Sequence, residues 1–515
     1  MSAGRRDPRG GSGQPGRPRH ETEAKLRTSC LIAPDELVPE ATALLASGYR
    51  VASIAAHDDG HAMRVVYVFT AGPPDRRVEL QVRLDAARPS VPSLAAVSFP
   101  ASRFEREMHD LFGIEPTGHP MPRPLVLHQH WPEQWHPMRR DAGPMPAMRS
   151  DAGPYPFVQV EGPGVYEIPV GPVHAGLIEP GHFRFSVVGE TILSMKARLW
   201  FVHRGIERLF EGRVVDEGVE LAERVSGDTA IGHTLAYCLA VEDALRIDMP
   251  EASARLRALL LELERIYNHV GDIGSLCNDV GYGLAQARAL VLRERLLCLN
   301  EAVTGHRLLR GAIQPGATAV HRLPTAGELS EIGDRFEELV ELATSNTVVM
   351  DRFRGTAVLA GADAAGIGTL GVVARASGLG LDARVAHPIP GLDEHCLVAC
   401  EESGDVMARM WVRAAEVRES LRLVAELGGR ATALDLTEAR PAVLGGSGLG
   451  IVEGFRGSIV HRVEVDAEGR LTRCKVVDPS FLNWPALAVA LHDTIVPDFP
   501  LVNKSFGLSY AGNDL

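Results

Sequence analysis

The side chains in this sequence best suited to soft-metal or redox chemistry are seven cysteines, at positions 30, 238, 277, 298, 396, 400 and 474. None forms a Cys-x-x-Cys pair, the spacing at which two thiolates can chelate one ion. Cys396 and Cys400, with His395 beside them, come nearest, but no second cysteine pair accompanies them. Buried structural thiols are the simpler reading, and reduced thiols in the cytoplasm fit this usage. The run GGSGLG at 445–450 misses the G-x-G-x-x-G spacing and has no clean strand-to-helix context, so it reads as a glycine-rich turn. There is no P-loop either, so the chain offers no site for NADH itself. Arg204 and Glu207 stand three apart in HRGIE. On a helix they would share one face and could pair. The stretch EREMHDLFGIEPTGHP at 105–120 crowds charge onto a short helix ahead of a Gly/Pro-rich strap. Taken alone, it is a solvated, hydrogen-bonded surface.

The elements that must position these residues follow from periodicity. Val78, Leu80, Val82 and Leu84 alternate with polar neighbours in RRVELQVRLD, the mark of a half-buried strand, and VVYVF just before it is a pairing partner. Phe104, Met108, Leu111 and Phe112 fall on one side of a helix over 104–113 that Gly113 stops. Residues 142–164 are too proline-rich for a helix or a central strand, which sets a linker at 142–160. Beyond it come strand-like segments (YEIPVGPVHA, then FRFSVVGETILSMKARLWFV) and long helical patterns at 252–276, 286–310, 326–352 and 404–426. Several are apolar nearly all round, which requires a buried bundle. A hairpin over 458–477 turns at Asp-Ala-Glu-Gly.

The chain of 515 residues is long enough for two or three domains, with 45% hydrophobic and 23% charged residues. Its net charge of −13 argues against nucleic acid as a partner. No run is apolar enough to span a membrane. Residues 1–27 hold seven Lys/Arg against three Asp/Glu with almost nothing apolar. They read as a disordered basic tail, inert or in contact with anionic lipid heads.

Two series of motifs carry a resemblance. The block at 105–120, continued by RPLVLH at 123–128 and HPMRRD at 136–141, strongly resembles the 30-kDa-type subunit of complex I, where this segment is a docking element. The second series runs GPVH (171–174), EPGHFR (179–184), VHRGIE (202–207), ERVSGDTAIGH (223–233), AYCLAVE (236–242), LERIYNH (263–269), RASGLGLD (375–382), NWPAL (483–487), VPDFPL (496–501) and SFGLSYAGNDL (505–515). In order, these resemble the large subunit shared by complex I and the energy-converting nickel–iron hydrogenases. The fused order is similar to the large subunits of formate hydrogenlyase and hydrogenase-4 complexes.

The resemblance implies an α+β fold. A 30-kDa-like α/β domain at 28–141 would precede a 49-kDa-like, mainly helical domain at 161–515 with a β-rich start. In the hydrogenases two Cys-x-x-Cys pairs hold nickel and iron. Here those positions fall on Ser226 and Thr229, and on Ser509 and Gly512. Neutral hydroxyls and a glycine cannot replace thiolates, and Cys238, nine residues past Thr229, restores no pair. Hydrogen chemistry is therefore not expected, and no metal or cofactor is expected in this chain. In complex I the same cavity takes a quinone between a Tyr, a His and an Asp. Those positions fall on Gly227, Ile178 and Asp279. His174, His182, Arg204 and Asp228 are candidates to line an acceptor cavity, and Asp279, Glu207 and His233 to supply protons. Glu207 is equally a buried ion pair that fixes packing. The implied role is an oxidoreductase subunit of an NADH-quinone-oxidoreductase-like or hydrogenase-4-like complex. Its partners would be an iron–sulfur small subunit and antiporter-like membrane subunits, which would hold it on the cytoplasmic face of the membrane. The alternative is a non-catalytic scaffold that docks redox subunits onto the membrane subunits.

Overall fold

A computed structural model describes residues 26–515 apart from 154, 177, 393–395, 431–440 and 442. His395 and nearly all of the basic tail thus lie outside the described residues. The N-terminal unit is built on β1 (Leu26–Ile32), helix α1 (Leu37–Ala46), β2 (Arg50–Asp58), β3 (Ala62–Ala71) and β4 (Arg76–Asp85). β1 thus takes in Leu26 and Arg27, which the composition had grouped with the tail. The sheet order is β1-β4-β3-β2, with β1 parallel to β4 and the other pairs antiparallel. The expected pairing holds, with Val65 opposite Val82 and Tyr67 opposite Leu80.

The alternation in β4 tells only half of its environment. Leu80, Val82 and Leu84 are buried on one face, but Arg77 and Glu79 on the other face are buried too. At that end of the strand the face meets the large unit, while Arg83 and Asp85 further along it are exposed. Arg77 donates to the Leu449 carbonyl at 2.8 Å, and Arg462 reaches Glu79 at 3.3 Å. Arg64 of β3 adds a forked pair to Glu464, both contacts at 2.9 Å.

Helix α2 (Phe99–Phe112) starts earlier than the periodicity predicts, because Ser98 caps it and Pro100 suits its first turn. Gly113, at φ +71°, ends it as expected. Its carboxylates are not the solvated surface that composition alone suggests, since Glu105, Glu107 and Asp110 are all buried. Asp110 accepts the backbone N–H groups of Leu125, Val126 and Leu127 at 2.7, 2.7 and 3.2 Å. That satisfies three donors of a strap that no sheet could pair. The described residues of 142–160 carry neither helix nor strand.

The large unit opens with an antiparallel sheet of β5 (Val165–Val170), β6 (His182–Val188) and β7 (Thr191–Arg198). The short α3 (Ile206–Phe210) follows, and then the bundle helices α4 (Ala230–Leu245), α5 (Glu251–Asp279), α6 (Gly283–Thr304) and α7 (Ala326–Ser345). The helix expected over 326–352 breaks at Asn346, whose side chain caps α8 (Thr347–Phe353) by accepting from Val348 and Val349. After α9 (Val406–Arg430) comes a sheet of β8 (Gly446–Gly454), β9 (Gly457–Val465) and β10 (Leu471–Val477). Helices α10 (Pro479–Ala490), α11 (Phe499–Phe506) and α12 (Tyr510–Asp514) close the chain.

The GGSGLG run is not a turn but most of strand β8. A Cβ at Gly448 or Gly450 would stand 1.9 Å from the carbonyl oxygen of Ala240 or Ala236. These glycines therefore let β8 lie directly on α4.

Candidate functional site

The first segment of interest is the turn that enters α4. Ser226 and Thr229 are buried within it, and Thr229 is the residue at the helix N-cap. No local side chain caps that end. Glu264 of α5 does so instead, accepting from the N–H groups of Ile231 at 2.7 Å and Gly232 at 2.9 Å. Burial pushes the Glu264 carboxyl up to about 8, although both hydrogen bonds favour its ionised form. Tyr267 and Asn268, one helical turn further on, donate to the Asp228 carbonyl at 3.1 and 2.8 Å.

The second segment is the last turn of the chain. Ser509 caps α12, its hydroxyl accepting from Gly512 N at 2.9 Å. The two segments, 283 positions apart in sequence, touch: the hydroxyls of Ser226 and Ser509 are 2.8 Å apart. Arg204 ties them together, donating to the carbonyls of Arg224 (2.9 Å), Val225 (2.7 Å) and Ala511 (3.1 Å). Arg456, from the β8–β9 turn, is the second brace. It pairs with both oxygens of Asp228 at 2.7 and 2.6 Å, reaches Thr229 Oγ1 at 3.0 Å and donates to the Gly507 carbonyl. Desolvation works against ionisation of Asp228, but Arg456 keeps its carboxyl below the usual carboxylate range.

Behind this contact lies a buried polar chain. His233 Nε2 is 3.1 Å from Asp478 Oδ2, and His233 Nδ1 is 3.0 Å from His461 Nε2. Asp478 also caps α10 through Ser480 N at 2.7 Å. A Cβ on Gly512 would fall 2.6 Å from the Asp478 carboxylate, so Asp478 fills the space that a side chain at 512 would need.

The donor set does not fit a nickel–iron pair. Of the four positions that the hydrogenases fill with thiolates, two present hydroxyls to each other, Thr229 donates to Asp228 Oδ1 at 3.0 Å, and Gly512 is packed on a carboxylate.

The structure therefore brings together Arg204, Asp228 and His233 with Ser226, Thr229, Ser509 and Gly512. It separates the other candidates. The Arg204–Glu207 pair expected from their spacing does not form. Gly205, at φ +67°, caps α3, so Arg204 precedes the helix and the three-residue rule does not apply to it. Glu207 instead faces the N-terminal unit. It accepts from Arg473 at 2.7 Å and from Lys475 at 3.0 Å, and Lys475 also binds Glu107 of α2 at 2.7 Å. Burial alone would raise the Glu207 carboxyl, but Arg473 and Lys475 hold it down to about 2. Asp279 stands at the end of α5, paired with Lys504 at 2.6 Å. His174 lies near the last turn, its ring 6.4 Å from that of Tyr510. His182 bonds to the Gly171 carbonyl and to Arg184. Sequence reasoning missed Arg456, His461, Asp478 and Glu264. Only Asp478 left a local signal, in the Asp-Pro-Ser that starts a helix.

Comparison with known proteins gives the family. Residues 30–146 match the family of the respiratory-chain NADH dehydrogenase 30 Kd subunit, and residues 279–439 that of the 49 Kd subunit. Formate hydrogenlyase subunit 5 of Escherichia coli is 31% identical over 455 residues, covering 85% of this chain and 79% of that protein. Hydrogenase-4 component G of Escherichia coli is also 31% identical, over 80% of this chain and 73% of its own length. A chain of the membrane-bound sulfane sulfur reductase, an archaeal respiratory membrane complex, shares the fold with a TM-score of 0.62 at 23% identity, over 68% of this chain and 99% of that one. Among the described residues no helix is long and apolar enough to cross a membrane. With both subunit types fused in one chain, and with these relatives spanning most of its length, the protein belongs to the family of fused 30- and 49-kDa-type large subunits of complex I-like and hydrogenase-type respiratory complexes.

Proposed function

We propose that this chain is the metal-free large subunit of a membrane-associated respiratory complex, working beside an iron–sulfur subunit that passes electrons to a quinone or a similar small acceptor. Hydrogen splitting is not part of the reading. Antiporter-like membrane subunits would hold the chain on the inner face of the cell membrane, and nucleic acid has no role. The observation that carries the proposal is the rim of the site. Gly227 is exposed with nothing within 4 Å of where a Cβ would be, and beside it the Asp228 side chain is 38% exposed while paired to Arg456. That open step offers space and a fixed charge pair to an acceptor headgroup, with Ser226 and His233 behind it. Glu207, held in the seam between the units, is left out of this role. One observation favours the scaffold reading instead. The Ser226–Ser509 hydrogen bond and the packing of Gly512 on Asp478 fill the space between the two segments, so any acceptor must stop at the rim. Purification of the intact complex, with nickel analysis and an assay of menadione reduction, tests both readings. Stoichiometric nickel refutes the proposal. Menadione reduction that is lost in Gly227→Trp and kept in Gly327→Ala, a change in open space on α7, supports it. Absence of reduction in the wild-type complex leaves the scaffold role.

A further inference from the structure

Away from the rim, four guanidinium groups gather where α2, the strap that follows it and the large unit meet. Arg103 and Arg106 come from α2, Arg123 from the strap and Arg198 from the end of β7. Their hydrogen bonds go to carbonyl oxygens. Arg103 donates to Phe481 at 2.9 Å, Arg106 to Arg123 and Pro124 at 2.7 and 3.1 Å, and Arg123 to Pro156 at 2.9 Å. Arg198 donates to Leu125 and, at 2.9 Å, to Leu127. Aromatic rings fill the spaces between the cations. Arg198 lies 4.7 Å from the Tyr155 ring, which is also a side-chain partner of Arg106, and Arg103 lies 4.7 Å from the Phe481 ring. Trp200 stands 5.7 Å from Arg103 and 5.9 Å from Arg198, its backbone held at φ +64°, where a bulky residue is strained. Among the described residues none of the four has a carboxylate partner. The acids that act on them are engaged elsewhere: Asp110 with the backbone N–H groups of the strap, Glu107 with Lys475, and Asp514 with Val202 N at 3.1 Å and Asn513 at 2.8 Å. Carbonyl dipoles and ring faces orient a guanidinium but leave its full charge in place. Burial works against that charge on Arg103, Arg106 and Arg198 and lowers each below the ordinary arginine value, and Arg106 adds to this at both of its neighbours. Two buried donors are also bare, Nη2 of Arg103 and Nε of Arg198, which is only 4% exposed. Arg106 and Arg123 are half-buried on the outer side, and Nε and Nη2 of Arg123 have no protein acceptor and reach solvent.

We infer that this cluster is a binding site for a phosphate-type oxyanion, docked at the open edges of Arg106 and Arg123 in the field of Arg103 and Arg198. Guanidinium edges match such an anion two N–H groups at a time. Four positive charges without a carboxylate favour a divalent anion over a monovalent one such as acetate. The cluster draws on both units, so a bound anion also ties them together and stabilises the folded chain. Neither the rim nor His233 takes part, and the site stands whether or not the chain reduces an acceptor. A free phosphate and the headgroup of an anionic phospholipid share this chemistry.

Isothermal titration of the full chain with inorganic phosphate, at constant ionic strength, tests the site. The expected result is one saturable site, with acetate bound at least about tenfold more weakly. Arg123→Gln gives up only the bond to the Pro156 carbonyl, so its melt without phosphate should match that of the wild type. Its phosphate affinity should fall by about tenfold or more, and the rise in thermal midpoint that phosphate gives the wild type should shrink with it. Arg106→Gln should weaken binding further, but it releases two strap carbonyls, and if it fails to fold the Arg123 variant decides. Absence of saturable binding by the wild-type chain up to about 10 mM phosphate overturns the proposal. Phosphate binding that Arg123→Gln leaves unchanged, or that acetate equals, overturns it too. Co-sedimentation with phosphatidylglycerol vesicles, against phosphatidylcholine vesicles, separates the two sources. Vesicle binding that free phosphate displaces and Arg123→Gln abolishes assigns a lipid headgroup, and phosphate binding without it assigns the free ion.

Discussion

Replacing Lys475 with Met tests how the two units are held together. Lys475 is 3% exposed, and its ammonium group binds Glu107 of the N-terminal unit at 2.7 Å and Glu207 of the large unit at 3.0 Å. Methionine fills much of the same volume, so the loss is mainly electrostatic. Glu207 keeps Arg473 at 2.7 Å, whereas Glu107 keeps only the more distant charge of Arg473. The cost of leaving one buried carboxylate uncompensated is about 3–5 kcal/mol. Part of it can be escaped by protonating Glu107, whose carboxyl burial already raises against the pull of Lys475. We therefore expect about 3 kcal/mol near neutral pH, with less at acid pH. A chain of this size need not unfold in one step, so the assay is twofold. One part is the denaturant midpoint. The other is the rate of proteolytic cutting in the linker, which reports separation of the units. The double variant Glu107→Gln/Lys475→Met should recover most of the loss, because no charge is then stranded. A single-variant cost below about 1 kcal/mol, or a double variant worse than the single, refutes the idea that this triad locks the seam.

Three further outcomes are expected. Glu264→Gln should change the pH dependence of stability. With its folded value raised to about 8, the wild-type carboxyl lends stability that is full below the ordinary carboxyl range and is lost as pH rises toward 8. The variant should lack this slope, as thermal unfolding at a series of pH values would show. Gly448→Ala should destabilise by about 3 kcal/mol or lose fold, since its Cβ meets the Ala240 carbonyl at 1.9 Å, and circular dichroism melts would detect it. Arg456→Met should cost about 1–3 kcal/mol, less than a fully buried pair because Asp228 is partly exposed, and it should loosen the last turn, measured as faster hydrogen exchange at Gly512.

Much of the scaffold was legible because local pattern and tertiary role agree. The leucines of α5 and the alternation in β4 bury as their spacing predicts. What the sequence hid was the second face of each element. Arg77 and Glu79 look like solvent residues until another unit covers them, and period-two alternation cannot distinguish water from a polar seam. The glycines of β8 look like a turn because nothing local reveals the helix lying on them. The site shows the same division. The positions of Ser226, Thr229, Ser509 and Gly512 could be read from motif spacing. Arg456 and Asp228 are 228 positions apart and His461 and His233 another 228, so only the closed fold makes them partners.

The seam also bears on how such chains can be recombined. Arg64 with Glu464, Arg462 with Glu79, and Lys475 with Glu107 are matched across two halves that fold from opposite ends of one polypeptide. A half borrowed from a relative would carry one member of each couple without its mate. Chimeras at the proline-rich junction should therefore succeed only when the complementary charges are transplanted as a set, and tethering the halves in one gene product guarantees that each meets the mate it was selected with.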